Sequence, residues 1–475
     1  MINYHKKIVF HPPVILVVGI HLLIIMCFYY WAHKNWNNLC TYGYESLIFP
    51  WVVVSFFTNL FTLKMIGKAD YADFGLVFMI CSYLFMFGHT FISVFDLQTT
   101  LLWNPSPYFS SSEKFRSALY AIGCLLVFSL IYACVINQKK NVNKFFNNNS
   151  NLDSRWIYKL GWIFLVIGFI SSVLTWGKII VVTLSSGSYA SYTLANTTGF
   201  FDDLSYLFAP GIIYLFSSHE LNKKNERTLL VISLLFLTIT MILSGARKTQ
   251  LFAIIAIVLC YSSTRNKSKT SIRSIFMVLI SGLVLLDLIY VIRENRFELN
   301  TIGSTFLNSL KGFKFLSSIV GETFAESGLS FYALVAVVSN VPSVFPYEYG
   351  MTFIRTIPSF LPIGWLVGDF FDKAASSYVI NRFTGLPVGT SLLGDFYWNF
   401  GFAGGTILCA IFAIILAKIS LLRIESHKEY QYFSYLYIVL MGVRAGIFEI
   451  FRPLSIVLLV PLIVELILRG RLSLK

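Results

Sequence analysis

Charge is what this chain lacks. Only 13% of its 475 residues are Asp, Glu, Lys or Arg, while 56% are hydrophobic and mean hydropathy is +0.71. A soluble domain carries about a quarter of its residues as charges, so a soluble fold is excluded. Acids are scarcer than bases, 23 against 37. The resulting +14 is scattered over many short segments, which excludes a nucleic-acid-binding patch. No His, Cys or carboxylate spacing resembles a zinc site, so no metal is expected. A Gly-rich phosphate loop is missing, as is any polar domain to hold one, so neither a nucleotide site nor another cofactor is expected. No repeat of transporter type is visible. Of the seven cysteines only Cys40 lies between apolar blocks, so no disulfide framework is implied. The first apolar block follows Lys6 and Lys7 without a small-residue cleavage site and reads as an uncleaved anchor.

What is present is a series of apolar blocks of roughly twenty residues, the length that crosses a ~30 Å hydrocarbon core. In lipid every backbone group must be paired internally, so such blocks are helices or closed-barrel strands. Continuous blocks lack the alternation of barrel strands. The expected fold is an all-α polytopic membrane protein with about twelve transmembrane helices. The blocks fall at 13–31, 46–65, 72–95, 117–136, 157–176, 204–217, 229–243, 251–263, 275–292, 393–422, 432–450 and 454–468.

Sidedness follows from the basic residues of short loops. With the N-terminus inside, alternate loops carry Lys64 and Lys68, Lys139 and Lys140, Lys223 and Lys224, Lys267 and Lys269, and Lys418 and Arg423. An even span count returns Arg469 and Arg471 to the same side, so both termini are expected in the cytoplasm. The chain then divides into an N-terminal bundle (1–140), an Asn-rich cytoplasmic loop (141–156), central helices (157–292), a long outer loop between spans nine and ten (293–392) and C-terminal helices (393–475). Long loops in compact membrane proteins carry function. Within this one, residues 324–338 are amphipathic and fit a re-entrant or surface-lying helix.

Candidate chemistry gathers on the outer side. Arg247 and Lys248 stand in a tight turn between two apolar runs. Arg247 is either a snorkelling arginine at a helix end or part of an anion site beside a helix N-terminus. Arg355 and Arg382 lie among stiffening prolines and glycines, either as surface ion pairs with Asp369 or Asp372 or as ligands to an anion. Arg444 falls within an apolar block, where an arginine is a functional hypothesis by default. Glu449 and Arg452 are three apart and expected to pair with each other, as Arg293 and Arg296 are with Glu294 and Glu298. Asp395 and Asn399 share a helix face, either compensating the helix dipole or facing a sugar site with Tyr397 and Trp398 as stacking rings.

The succession LSGARK, IRENRF, YGMTFIRTIPSFLP and GTSLLGDFYWNFGFAGG, over residues 240 to 460, resembles the Wzy-type oligosaccharide repeat-unit polymerases of O-antigen and capsule synthesis. The resemblance implies a GT-C-like polymerase or ligase architecture in the bacterial cytoplasmic membrane. It implies transfer of an undecaprenyl-diphosphate-linked glycan, on the outer face, onto the next lipid-linked repeat unit. Membrane lipid, and a chain-length regulator protein, are the further partners it implies. Arginines that bind the diphosphate would be Arg247, Arg355, Arg382 and Arg444, with Lys248 beside them. Asp395, Glu322 and Glu326 are the candidate general bases, and Tyr397, Trp398 and Asn399 the candidate sugar-binding residues. An O-antigen ligase uses the same donor and stays open. A flippase or other transporter fits the span count but not the missing repeat or the asymmetric outer loop.

Overall fold

The computed structural model describes residues 12–37, 43–97, 104–142, 154–186, 199–244, 248–265, 314–360, 375–386, 388–426 and 428–473. Every regular element among them is helical. The longer ones are α1 (Pro12–Asn35), α2 (Tyr44–Met65), α3 (Phe74–Phe95), α4 (Ser111–Val142) and α5 (Ser154–Ser186). Short α6 (Phe200–Ser205) and α7 (Phe208–Ser217) lead to α8 (Lys223–Ser244) and α9 (Lys248–Arg265). Then come α10 (Lys314–Asn340), α11 (Met351–Thr356), α12 (Ser376–Thr384), α13 (Leu392–Ser426), α14 (Glu429–Leu440) and α15 (Ile447–Ser473).

Seven of these are long and apolar enough to cross a membrane: α1 to α5, α8 and α13. The expected number of about twelve is therefore not reached among the described residues, and the ninth expected span, 275–292, lies outside them. Three of the shortfalls have a visible cause. The block at 204–217 is divided, because Tyr206 and Leu207 interrupt it between α6 and α7. The block at 432–450 is broken at 441–446, where a 3-10 turn and Arg444 separate α14 from α15. The gap expected near 451–453 is instead continuous helix, with Pro453 inside α15.

Burial separates central helices from peripheral ones. The apolar windows of α3 and α4 are 78% buried and that of α1 only 17%, so α3 and α4 form the axis of the fold and α1 faces lipid. One hydrophobic core runs from Val17 to Val457. The Tyr120 hydroxyl of α4 donates to the Leu393 carbonyl of α13 (3.2 Å), and Tyr132 bonds Ser420 (2.6 Å).

Residues 324–338, read from sequence as a re-entrant or surface-lying helix, belong to α10, whose run Phe331–Val338 is buried on every side. That burial leaves no free face for lying on a surface. Gly88 of α3 and Gly328 of α10 set the close crossing: a Cβ on Gly88 would strike the Phe324 carbonyl, and one on Gly328 the His89 amide (2.5 Å). Small residues at such crossings let membrane helices approach backbone to backbone.

Within α1 to α4 one set of buried polar groups is mutually satisfied. His21 bonds the Thr62 hydroxyl (2.8 Å) and the Leu126 carbonyl (3.0 Å). The Asn59 amide donates to the Tyr83 hydroxyl (3.0 Å) and accepts from Ser129 (2.5 Å), while Tyr83 donates to Ser55 (2.7 Å).

Candidate functional site

The site begins with a bend. Helix α13 is interrupted at Gly401, whose φ of 65° and ψ of −158° favour glycine. A Cβ there would also meet the Tyr347 hydroxyl at 2.8 Å. The two limbs fold back on each other. A Cβ on Gly405 would lie 3.1 Å from the Phe396 carbonyl carbon, whereas residues nine apart in a straight helix are separated by about 13.5 Å. The 402–426 limb, at about 36 Å, crosses the hydrocarbon alone. The 392–400 limb therefore lies beside it, with its N-terminus below the end at which the two limbs meet.

A break in a helix exposes backbone carbonyls that must be satisfied. The loop before α11 does this. Glu348 N donates to Trp398 O and Tyr349 N to Asn399 O, each at 3.1 Å. Asn399 completes the joint: its side-chain oxygen accepts from Gly350 N (2.7 Å), and its amide donates to Thr352 (2.6 Å) and to Asp395 O (2.7 Å). The stretches YGMTFIRT (349–356) and GDFYWNFG (394–401), which start 45 residues apart in the chain, are thus one unit.

Below the bend, the first turns of four helices meet. Asp395 in the first turn of α13 accepts from Ser376 Oγ at the start of α12 and from Ile447 N at the start of α15, each at 2.5 Å. Glu449 in the first turn of α15 accepts from Ser377 Oγ (2.6 Å) and pairs with Lys248, the first residue of α9 (2.5 Å). Two carboxylates therefore tie together four helix N-termini, each carrying about half a positive charge. Gly446 permits the closeness, since a Cβ there would fall 2.6 Å from Asp395 Oδ2.

The turn 441–446 closes this junction. Gly442 packs on Leu392, and Gly446 on Asp395 and Thr390, so Arg444 stands between two contacts with the start of α13. Arg444 is half-buried, and its guanidinium meets no hydrogen-bond or ion-pair partner among the described residues. Gln250, in the first turn of α9, is 1% exposed, and neither amide atom has a partner among the described residues.

The expected residues are distributed unevenly around this junction. Lys248 and Asp395 belong to it, and Arg444 borders it. Asp395 is fully buried with both oxygens engaged, as a clamp between helices would be. Glu322 and Glu326 are buried elsewhere on α10. Val337 is the α10 residue that touches Gly394, and Glu326 lies about 16 Å back along the helix from it, with Glu322 about 22 Å back. The three candidate bases are therefore not brought together. Tyr397, Trp398 and Asn399 are 0%, 3% and 0% exposed. Tyr120 and Phe345 pack on the two rings, so neither offers a face for stacking on a sugar.

Of the other cations, Arg355 pairs with Glu348 (3.0 Å), and Asp369 and Asp372 lie outside the described residues. Arg382 is exposed at the end of α12, with no partner among the described residues. The expected pair of Glu449 with Arg452 does not form. Glu449 turns to Lys248, and Arg452 turns to Asp203 of α6 at 2.7 Å, because separate neighbours offer each an opposite charge. Arg247, and Arg293, Glu294, Arg296 and Glu298, lie outside the described residues. Sequence reasoning missed Ser376, Ser377, Gln250 and the part played by Glu449. The one signal available was Ser-Ser opening a helix, a start signal that also supplies hydroxyl donors. Among the described residues no group of His, Cys, Asp and Glu has the geometry of a metal site.

Residues 13–474 match the family model of the O-antigen polysaccharide polymerase Wzy. The match covers nearly the whole chain, and the chain belongs to that family. Membership carries a polymerase glycosyltransferase activity that acts on lipid-linked oligosaccharide repeat units, and with the apolar helices it gives a multi-pass membrane protein. No curated protein and no solved structure matches the chain.

Proposed function

We propose that this Wzy polymerase transfers an undecaprenyl-diphosphate-linked glycan onto the next lipid-linked repeat unit at the outer face of the cytoplasmic membrane, and that the donor diphosphate binds where the first turns of α9, α12, α13 and α15 meet. One observation carries the reading: Arg444, half-buried and without a partner among the described residues, borders four positive helix ends. An unpaired guanidinium at membrane depth is costly. It is accounted for if an anion completes the site, and a diphosphate matches a bidentate donor and free helix N–H groups.

The roles follow from position. Arg444 and Lys248 hold the diphosphate and take up the charge that develops on it as the glycosidic bond forms. Arg247 precedes Lys248 in the chain and adds a further cation. Arg382 draws the anionic headgroup toward the junction, and Arg355, held by Glu348, stiffens the loop that caps the bend. The donor is already activated, so no nucleotide is consumed. The architecture is read as GT-C-like, with both termini cytoplasmic, so a cysteine placed at Ser343 reacts with an impermeant reagent from outside and one at Asn148 does not.

The test uses purified full-length protein in lipid vesicles, given only lipid-diphosphate-linked repeat units extracted from polymerase-deficient cells. A ladder of longer lipid-linked glycans is expected without nucleotide sugar and in the presence of EDTA. Arg444→Ala should fold, insert and lose turnover by about 100- to 1,000-fold, with Arg444→Lys recovering little because it lacks the bidentate fork. Full activity in Arg444→Ala would overturn the assignment. Transport of the unit with no change in glycan length would mark a flippase, and transfer only to a lipid A-core acceptor would mark a ligase.

A further inference from the structure

Resting on that reading of the diphosphate site, we propose that Glu449 is the general base of the transfer and that donor binding frees it by drawing Lys248 away. Asp395 is the carboxylate that sequence points to, but it has no oxygen to spare. It is fully buried, and its two oxygens are taken by Ser376 and by the Ile447 amide. Glu322 and Glu326 lie about 16 Å or more along α10 from its contact with α13. Glu449 alone among the four combines nearness to the junction with access. Its side chain is 28% exposed, and it stands two residues from the Ile447 amide that Asp395 holds.

Its partners suit the role. Ser377 donates to Oε1 and fixes the carboxylate, leaving Oε2 to Lys248, itself 31% exposed. A lysine ammonium on a flexible stem can change partners. A diphosphate brings more negative charge than one carboxylate, so Lys248 turns to it when the donor binds and Oε2 is released to accept a proton. Gln250, in the first turn of α9 and buried without a partner for either amide atom among the described residues, adds an unused donor and acceptor of the kind a hydroxyl-rich acceptor requires.

The step balances as written. The acceptor hydroxyl oxygen forms a bond to the anomeric carbon of the donor, and Glu449 takes the hydroxyl proton. The bond between the anomeric carbon and the diphosphate oxygen breaks, and its electron pair leaves with the diphosphate, held by Lys248 and Arg444. Glu449 returns its proton to the departing diphosphate or to water before the next cycle.

The mechanism separates binding from turnover. Glu449 competes with the donor for Lys248, so Glu449→Gln should bind the lipid-diphosphate donor as well as the wild type or several-fold more tightly, while turnover falls by about 100-fold or more. A merely structural glutamate would lose both together, and that outcome overturns the proposal, as would turnover within threefold of the wild type. Should Glu449→Gln fail to fold, Glu449→Asp keeps a carboxylate. It should retain measurable turnover and a rate that still falls on the acid side of its pH profile, and a profile with no acid limb overturns the proposal. Arg444→Ala is measured in parallel. Normal donor binding there defeats the diphosphate site itself. Lost donor binding there with normal turnover in Glu449→Gln defeats only the assignment of the base.

Discussion

Two regions of this molecule bury polar side chains, and they do so differently. Among α1 to α4, His21, Asn59, Thr62, Tyr83 and Ser129 form a closed network in which each of these side chains meets a partner. Around the starts of α9, α12, α13 and α15 the polar groups are charged, and the set is incomplete. Asp395 and Glu449 are engaged, but Arg444 and Gln250 have no partner among the described residues. A satisfied network specifies one packing and contributes to stability. An unsatisfied one costs stability and persists where something else completes it. The contrast between this network and this junction assigns the first to the scaffold and the second to the site.

The sharpest way to break the comparison is at Asp395, which sits in the second region yet is bonded like a member of the first. If it is a clamp, Asp395→Ala removes hydrogen bonds to Ser376 and to the Ile447 amide and leaves a buried N–H unsatisfied. Each charged hydrogen bond contributes roughly 1.5–3 kcal/mol, so a loss of about 3–5 kcal/mol is expected. The protein should melt early in detergent and fail to accumulate. Asp395→Asn should fall between, with activity declining in step with the folded fraction. A normally stable Asp395→Ala protein that turns over no donor would restore Asp395 as a catalytic residue.

Gly401 tests the bend that brings the second region together. At φ 65° a side chain is strained, and its Cβ would meet Tyr347. Gly401→Ala should cost about 1–3 kcal/mol and expose the 345–350 loop to protease, with activity reduced because the 392–400 limb is displaced. Unchanged protease resistance would mean that the loop does not depend on the bend.

His21 is the counterpart in the scaffold. His21→Ala leaves the Thr62 hydroxyl and the Leu126 carbonyl without that partner, at about 1–3 kcal/mol. Melting temperature should drop while turnover per folded molecule stays the same. A specific loss of turnover would show that the two regions are coupled, and the division between scaffold and site would fail.

How much of this was legible in the sequence depended on the range over which each signal acts. Helices and the charged turns between apolar runs are local and were readable. The breaks at 441–446 and at Gly401 were not, because apolar residues continue across both, and a glycine among them does not reveal its φ. Pairing was the least legible. Glu449 and Arg452 look like partners at a spacing of three, yet each pairs with a helix far away in sequence, 201 residues off at Lys248 of α9 and 249 at Asp203 of α6. The two most specific motifs, YGMTFIRT and GDFYWNFG, gave the family but not the reason for their joint presence, which is that one caps the bend in the other.

The smallest expected effect falls on Arg382 and tests how far the second region extends. Arg382 lies in the last turn of α12, exposed and without a partner among the described residues, so its removal costs no packing and leaves no buried group unsatisfied. Its part in the reading is to attract an anionic headgroup through water. Such attraction is screened within about 10 Å at 0.1 M salt. Arg382→Ala should therefore keep the wild-type melting temperature and lose about three- to tenfold in kcat/KM at low salt, with the difference shrinking as ionic strength rises. Arg382→Lys should recover most of the loss, since a diffuse attraction needs charge and not a guanidinium fork. A loss that resists both salt and lysine would mean that Arg382 touches the diphosphate directly, and the site would then reach to the end of α12. No loss at any salt would confine it to Arg444, Lys248 and the four helix starts.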